Sequence, residues 1–266
     1  MSKDKKTRIH KIVKVTKGKS LSIEDEVVEE SPLSIYLNDK KLVTLMSTPS
    51  DQKFLALGFL FSEGLIREKS DVKKILQRSR KNQVKVITKK TRKVPEGFSE
   101  KSILTSGCGK GKSFQSVADL DPLGDILINL QFNITPAQIE NLVKEFEKRS
   151  SVFKSTGGTH SAALASRDKI LLFKEDIGRH NAVDKVLGEA LFKRISIEEK
   201  LLILSGRISS DILLKSARGK TNLIISRSAP TSLAIELALK LGITLVGFAR
   251  GKRMNIYTYP ARVTLN

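Results

Sequence analysis

The chain has no tryptophan, and only 5% of its residues are aromatic. Proteins that grip single-stranded nucleic acid lean on aromatic stacking platforms, so this scarcity weighs against that class. Cysteine is nearly absent too: Cys108 is alone in 266 residues. An internal disulfide is therefore excluded, and a cytoplasmic setting is expected. Long apolar runs are missing. The longest, such as Leu201 to Leu204, are strand-sized and fall far short of the roughly 20 residues that cross a bilayer, so no membrane partner is expected. The charged start, Met1 to Lys6, lacks the apolar core of a signal peptide.

Acidic residues are scarce relative to basic ones. There are 28 Asp+Glu against 48 Lys+Arg, a net charge of +20. That balance favours polyanionic partners: nucleic acid, acidic proteins or phosphorylated cofactors. A basic nucleic-acid-binding protein without catalysis is the alternative function on this ground. The apolar content of 39% and the length suffice for a sizeable core in one large domain or two.

Cys108 lies in Thr105-Ser106-Gly107-Cys108-Gly109-Lys110-Gly111-Lys112-Ser113. The glycines leave its sulfur uncrowded and permit backbone angles that a side chain would forbid. Lys110 and Lys112 favour the thiolate, the nucleophilic form. A reactive thiol is the reading these neighbours support. The same stretch nearly fits a phosphate-binding P-loop ending in Gly111-Lys112-Ser113. Its first glycine is replaced by Ser106, and Pro122 and Gly124 cut short any following helix.

Along the chain, Ile9, Ile12, Val13 and Val15 suggest a strand in a basic lead-in. Pro32 to Tyr36 and Leu42 to Met46 read as a hairpin turned by Asn38-Asp39. Ser50-Asp51 offers an N-cap for a helix carrying Phe54 to Leu60 and stopped by Gly64. Ser70-Asp71 starts a shorter helix through Leu76. Val84 and Val86 mark a strand, Ile103-Leu104 leads into the cysteine loop, and Ile126 to Phe132 reads as a strand. Thr135-Pro136-Ala137-Gln138 is a capping box with proline at the first helical position. Ile139, Leu142, Val143 and Phe146 follow at helical spacing. Residue 135 is the expected domain boundary, giving a mixed α+β part over 1–134 and an α/β part over 135–266.

The second part alternates. Strands at Ile170–Phe173, Leu201–Leu204, Leu223–Ile225 and Ile243–Phe248 are separated by helices, with an edge strand expected at Asn255–Tyr259. This predicts a three-layer α/β sandwich around a mostly parallel sheet. Ligands of such sheets bind outside the carboxyl ends of the strands. Arg179, Arg207, Arg227 and Arg250 each follow one of those ends. Arginine grips phosphate with two parallel hydrogen bonds, so the four are expected to converge on a phosphate-bearing ligand. Thr156-Gly157-Gly158-Thr159-His160 adds a small-residue loop with a candidate ligand, acid/base or hydrogen bonder, His160. His180 opens a helix, where a cation is disfavoured, and is expected to be neutral. The spacing of Cys108, His160 and His180 fits no standard zinc pattern, so no metal held by side chains is expected.

With these residues assembled, the chain resembles the FdhD family of formate dehydrogenase accessory proteins. The resemblance is carried by Glu30-Ser31-Pro32-Leu33, the Gly58–Gly64 stretch, Ser106-Gly107-Cys108-Gly109, Thr156–His160 and the long Glu175–Lys185 motif. It continues through Ser205-Gly206-Arg207, Ser226–Pro230 and Asn255-Ile256-Tyr257. It implies a sulfurtransferase that takes persulfide sulfur from a cysteine desulfurase and supplies it to the molybdenum cofactor of formate dehydrogenase. A cytidine-deaminase-like core without zinc and a homodimer are implied as well. The bound group would be the molybdenum bis(molybdopterin guanine dinucleotide) cofactor, with a GDP-like nucleotide able to occupy its site. Cys108 matches the persulfide carrier. Phe248, Ala249, Arg250, Gly251, Lys252 and Arg253 match the cofactor-binding segment, with Arg207, Arg227, Arg179, His180, Asp176, Thr159 and His160 expected around it. Many members carry Cys-x-x-Cys in the loop. Here the second position is Gly111, which leaves a mechanism with a single persulfide-bearing thiol.

Overall fold

The computed structural model describes residues 6–90, 103–104 and 132–264, and of 103–104 the backbone alone. The chain opens with β1 (Thr7–Thr16) and β2 (Lys19–Val28), an antiparallel hairpin that forms a sheet of its own. Lys17 and Gly18, at φ 50° and 76°, make its two-residue turn. Positive φ at both turn positions suits the right-handed twist of the flanking strands.

The expected second hairpin is present as β3 (Ser31–Leu37) and β4 (Lys40–Ser47), with Asn38 at φ 53° in the turn. Leu33, Ile35 and Leu37 point inward at period two and are fully or almost fully buried. Helix α1 (Gln52–Ser62) follows and ends at Gly64, as expected. Its start differs from expectation. Asp51 sits at the N-cap position with φ 57° and makes no capping bond. Its carboxylate instead pairs with Lys174 at 2.8 Å.

The helix expected from Ser70 to Leu76 is absent. Lys69–Asp71 forms one 3-10 turn, closed by a capping box between Glu68 and Asp71. Strand β5 (Val72–Arg78) then pairs with β6 (Gln83–Thr88). A register shift between Val72 and Lys74 breaks the alternation and leaves Val72, Ile75 and Leu76 at helix-like spacing. With β7 (Ile103–Leu104), these strands form a five-stranded sheet in the order β5-β6-β3-β4-β7. The strand expected at Ile126–Phe132 lies, but for Phe132, outside the described residues.

The capping box at Thr135 is formed. Gln138 N donates to Thr135 Oγ1 at 3.2 Å, and Thr135 N donates to Gln138 Oε1 at 2.9 Å. It starts α2 (Pro136–Arg149), whose stripe of Ile139, Leu142, Val143 and Phe146 is buried. Next come α3 (Ser151–Thr156), β8 (His160–Ala165), β9 (Ile170–Asp176), α4 (Arg179–Lys193), β10 (Leu201–Leu204) and α5 (Ser210–Arg218). The series ends with β11 (Leu223–Ser226), α6 (Ser232–Leu241), β12 (Thr244–Arg250) and β13 (Arg253–Ile256). The edge strand thus begins two residues earlier than the sequence suggested.

The second sheet is mixed rather than mostly parallel. Its order is β13-β12-β11-β10-β8-β9, and only β10, β11 and β12 pair in parallel. The unexpected strand is β8, an alanine-rich segment with little strand signal of its own. Because β8 runs against both β10 and β9, strand β9 points the same way as β10, β11 and β12. All four carboxyl ends therefore still share one edge. The amino end of β8, with Thr159 and His160, lies on that edge as well.

Alternating strand residues divide the core. Ala163, Ile203, Ile225 and Val246 pack against α2, while Leu164, Leu202, Ile224 and Leu245 pack against α4, α5 and α6. The second cluster continues into α1 and the first sheet. Helices α1 and α4 cross in close contact. A Cβ on Gly58 would lie 1.7 Å from Asp184 O, and one on Gly188 would lie 1.9 Å from Phe54 O.

Candidate functional site

The shared edge carries a cleft of about 440 Å³ lined by Phe146, Phe153, Gly157, Gly158, Thr159, His160, Ser161, Ile177, Ser205, Arg227 and Arg250, among others. Backbone bonds stitch its loops together at and just beyond the strand ends. Ser205 N donates to Ser161 O at 3.1 Å, Arg227 N to Leu204 O at 3.1 Å, and Phe248 N to Ser228 O at 3.0 Å. Gly206 allows a close approach. A Cβ there would stand 3.3 Å from His160 Nδ1 and 3.4 Å from both Cβ and Cδ of Arg179.

Of the residues expected to hold a phosphate, Thr159, His160, Arg227 and Arg250 line the cleft. Arg250 Nε donates to Arg227 O at 2.9 Å, which fixes one guanidinium beside the other residue. Arg227 Nε stands 2.9 Å from Glu147 Oε1 on α2, a rim ion pair without full hydrogen-bond alignment. Arg179 flanks Gly206 next to His160. Arg207 is exposed and is not part of the lining. Gly251, at φ 55°, and Lys252 make the exposed turn between β12 and β13. Arg253 lies over the Phe248 ring at 5.8 Å. Ala249 is 1% exposed and points into the core on the α2 side.

Asp176 is placed differently from the cleft residues. It has no exposed surface. It accepts from Thr48 N, Thr48 Oγ1, Gly178 N and Asn181 Nδ2 at 2.9 to 3.2 Å. Lys185 Nζ completes the set at 2.6 Å. Glu175 accepts from Val152 N, Phe153 N and Thr159 Oγ1. It thereby satisfies the first amides of α3 and holds the Gly157-Gly158 loop. The acidic residues of the Glu175–Lys185 motif thus position the site instead of facing it. Asp184 does the same on α4, bound by Lys215 Nζ and Ser62 Oγ, both at 2.6 Å.

His160 and His180 are both shifted toward the neutral form. Burial lowers the pKa of His160, with Arg179 adding to the effect and Asp176 opposing it. Burial lowers His180 to about 3, with help from Lys215, Arg179 and His160. His180 Nε2 is buried with no hydrogen-bond partner. Ser205 Oγ accepts from Ser161 N at 2.9 Å and lies 3.3 Å from His160 Nδ1. Its hydroxyl proton is then free to go to Nδ1, which leaves His160 Nε2–H as a neutral donor on the cleft.

Cys108, Lys110 and Lys112, with the whole P-loop near-match, lie outside the described residues. Strand β7, four residues ahead of Cys108 in sequence, runs parallel to β4. Among the described residues, no helix is long and apolar enough to cross a membrane. Sequence reading missed Glu147, Ser161, Ile177 and Ser205. Ser205 was visible in Ser205-Gly206-Arg207 and Ile177 in the Glu175–Lys185 motif, but Glu147 and Ser161 carry no local signal and reach the site only through α2 and β8.

A model of the FdhD/NarQ family matches residues 28–264. The chain belongs to that family. Sulfur carrier protein FdhD of Bacillus subtilis (strain 168) is 38% identical over 260 residues, 98% of each chain. Sulfur carrier protein FdhD of Listeria monocytogenes (strain EGD-e) is 42% identical over 257 residues, 96% of this chain and 97% of the relative. The fold is similar to the crystal structure of a candidate formate dehydrogenase accessory protein from Desulfotalea psychrophila. That match has a TM-score of 0.82 and 28% identity, and it covers 98% of this chain and all of the other.

Proposed function

We propose that the chain is a sulfur carrier serving formate dehydrogenase. Cys108 thiolate attacks the outer sulfur of a cysteine desulfurase persulfide. The desulfurase thiolate leaves, and Cys108 becomes Cys108–S–S⁻. Lys110 and Lys112 favour the negative sulfur. The outer, sulfane-level sulfur then passes to the substrate, the molybdenum bis(molybdopterin guanine dinucleotide) cofactor in a reduced state that gives up the two electrons taking that sulfur to sulfide, and Cys108 returns to the thiolate.

One observation carries this reading beyond family membership. Arg227, Arg250, Thr159 and His160 stand together in a cleft at the carboxyl edge of the second sheet. Guanidinium groups and glycine amides suit a pyrophosphate. Phe146, Phe153 and Ile177 give the cleft an apolar wall for a flat base. A guanine nucleotide moiety, alone as GDP or within the cofactor, fits this combination. The division of labour follows: the sulfur is carried on the Cys108 loop, and the phosphates are gripped by the strand-end residues. The test is activation of a formate dehydrogenase by parent and Cys108→Ala proteins supplied with a cysteine desulfurase and cysteine. The parent activates and the variant does not. Equal activation by both would overturn the reading.

A further inference from the structure

Five large apolar side chains stand exposed on the β1–β2 hairpin: Ile9, Val13, Val15, Leu21 and Val27. Only Phe153, Leu233 and Leu239 join them elsewhere among the described residues. The two strands pair only with each other, from Thr7↔Val28 to Thr16↔Lys19. Strands of this length reach roughly 30 Å. The root of this arm is fixed. Arg8 Nη2 donates to Glu29 Oε1 at 2.7 Å, and Val28 fills the space over Gly158 at the cleft rim. The outer half is a different surface. Beyond the Lys11↔Glu24 rung it carries Lys14, Lys17 and Lys19 and no acid, while Glu24, Asp25, Glu26, Glu29 and Glu30 all sit toward the root. Val13 and Val15 are 67% and 68% exposed on one face of this tip. Leu21, 66% exposed, stands on the other face, opposite Lys14 and two residues from Lys19.

The combination of lysines and aliphatic groups selects the occupant. Lysines alone would suit any polyanion. Nucleic acid offers nothing to exposed valine and leucine, and the arm has no aromatic residue on which a base could stack. A flat protein surface would cover one face of the tip and leave the other in water. An anionic membrane surface surrounds the tip instead. It sets headgroup charges against the lysines and the ends of acyl chains against Val13, Val15 and Leu21, on both faces at once. The three outermost rungs and the turn span roughly 10 Å, the depth to which surface-bound segments enter the headgroup layer. That layer is hydrated, so the free N–H and C=O groups of both outer edges keep partners there, which the hydrocarbon core would deny them. The missing spanning run, which argued against a membrane partner, bears on crossing a bilayer and not on resting against one. We propose that the tip of the arm, Ile12 to Ile23, docks the chain reversibly on an anionic lipid surface. The net charge of +20 draws the whole chain toward such a surface, and the tip decides which part touches it.

Sedimentation of the full chain with lipid vesicles tests this. The chain binds vesicles of phosphatidylcholine that contain phosphatidylglycerol and leaves those of phosphatidylcholine alone, and rising salt weakens the binding. Lys14→Glu/Lys17→Glu/Lys19→Glu lowers the binding on the order of a hundredfold. Lys73→Glu/Lys169→Glu/Lys240→Glu has the same net charge and an untouched arm, and it binds nearly as the parent does. Val13→Ser/Val15→Ser/Leu21→Ser keeps every lysine and lowers the binding about tenfold. All the exchanged side chains are exposed, so each variant keeps the thermal transition of the parent. A parent that binds neither kind of vesicle, or both equally, overturns the proposal. So do equal losses from the two lysine sets, which would reduce the effect to bulk charge. An apolar variant that binds as the parent does, with duplex DNA held as tightly as the vesicles, overturns it as well and makes the tip a general contact for polyanions.

Discussion

Lys185 and Asp176 form an ion pair at 2.6 Å in which neither side chain has any exposed surface. Lys185 Nζ also donates to Thr48 Oγ1 at 2.6 Å, so the pair joins α4 to the segment between β4 and α1. Removing one member of such a pair strands the other charge in the interior. Asp176→Asn or Lys185→Met is expected to lower unfolding free energy by about 3–5 kcal/mol, while replacing both costs less. Denaturant titrations of the two single variants and the double variant check this.

The crossing of α1 and α4 has no room for a methyl group on either glycine. Backbone atoms lie under 2 Å from where the new Cβ would sit, and backbone cannot rotate away as a side chain can. Gly58→Ala and Gly188→Ala are expected to cost at least several kcal/mol or to prevent folding. Gly251→Ala meets nothing within 4 Å and is strained only by its φ of 55°, so its cost is about 1 kcal/mol. Thermal melting of the three variants gives the comparison.

His180 makes stability depend on pH. Its pKa is about 3 in the folded chain, below the ordinary 6.5. As pH falls through 6.5 the unfolded chain takes up a proton that the folded chain refuses. Stability therefore declines on acidification from about 6.5 toward 3, by up to about 1.4 kcal/mol per pH unit for one proton. Glu63 and Asp184, raised chiefly by burial, act with the opposite sign at the acidic end. The difference between parent and His180→Gln isolates the histidine. The parent is expected to lose more stability than the variant between pH 7 and pH 5, as read by urea midpoints.

Cleft residues should govern nucleotide binding unequally. GDP is expected to raise the thermal transition of the parent. Arg227→Ala should reduce that shift more than Arg207→Ala, because Arg227 lines the cleft and Arg207 does not. His160→Gln should keep most of the shift and His160→Asn should lose it. A glutamine amide reaches the place of Nε2–H, and an asparagine amide reaches only that of Nδ1.

Much of the second part was legible because its elements obey simple periodicities. The Thr135 capping box and the α2 stripe stand where the sequence put them, as does the glycine stop at Gly64 in the first part. The mixed direction of the sheet was hidden, since His160–Ala165 is short, rich in alanine and identified as a strand only by its two neighbours. The arginine edge survived that error because β8 reverses the chain twice over, restoring a common direction to β9 and β10. In the first part, the bulge near Lys73 turned a strand into a helix-like pattern. Asp176 illustrates a different limit. A motif rich in charged groups looks like a site, and only burial and partners separate the residues that face a ligand from those that hold the frame.

The central claim is that Cys108 carries sulfur and the strand-end cleft grips the nucleotide moiety, independently of each other. Intact mass measurement after incubation with a cysteine desulfurase and cysteine tests it most directly, with GDP binding measured on the same samples. The parent is expected to gain one reducible sulfur. Cys108→Ala should gain none and still bind GDP as the parent does, and Gly111→Cys should not exceed the parent, since a thiol three residues away can discharge the persulfide. An unmodified parent together with a strongly sulfur-loaded Gly111→Cys would contradict the account, because a single thiol would then be insufficient to carry the sulfur.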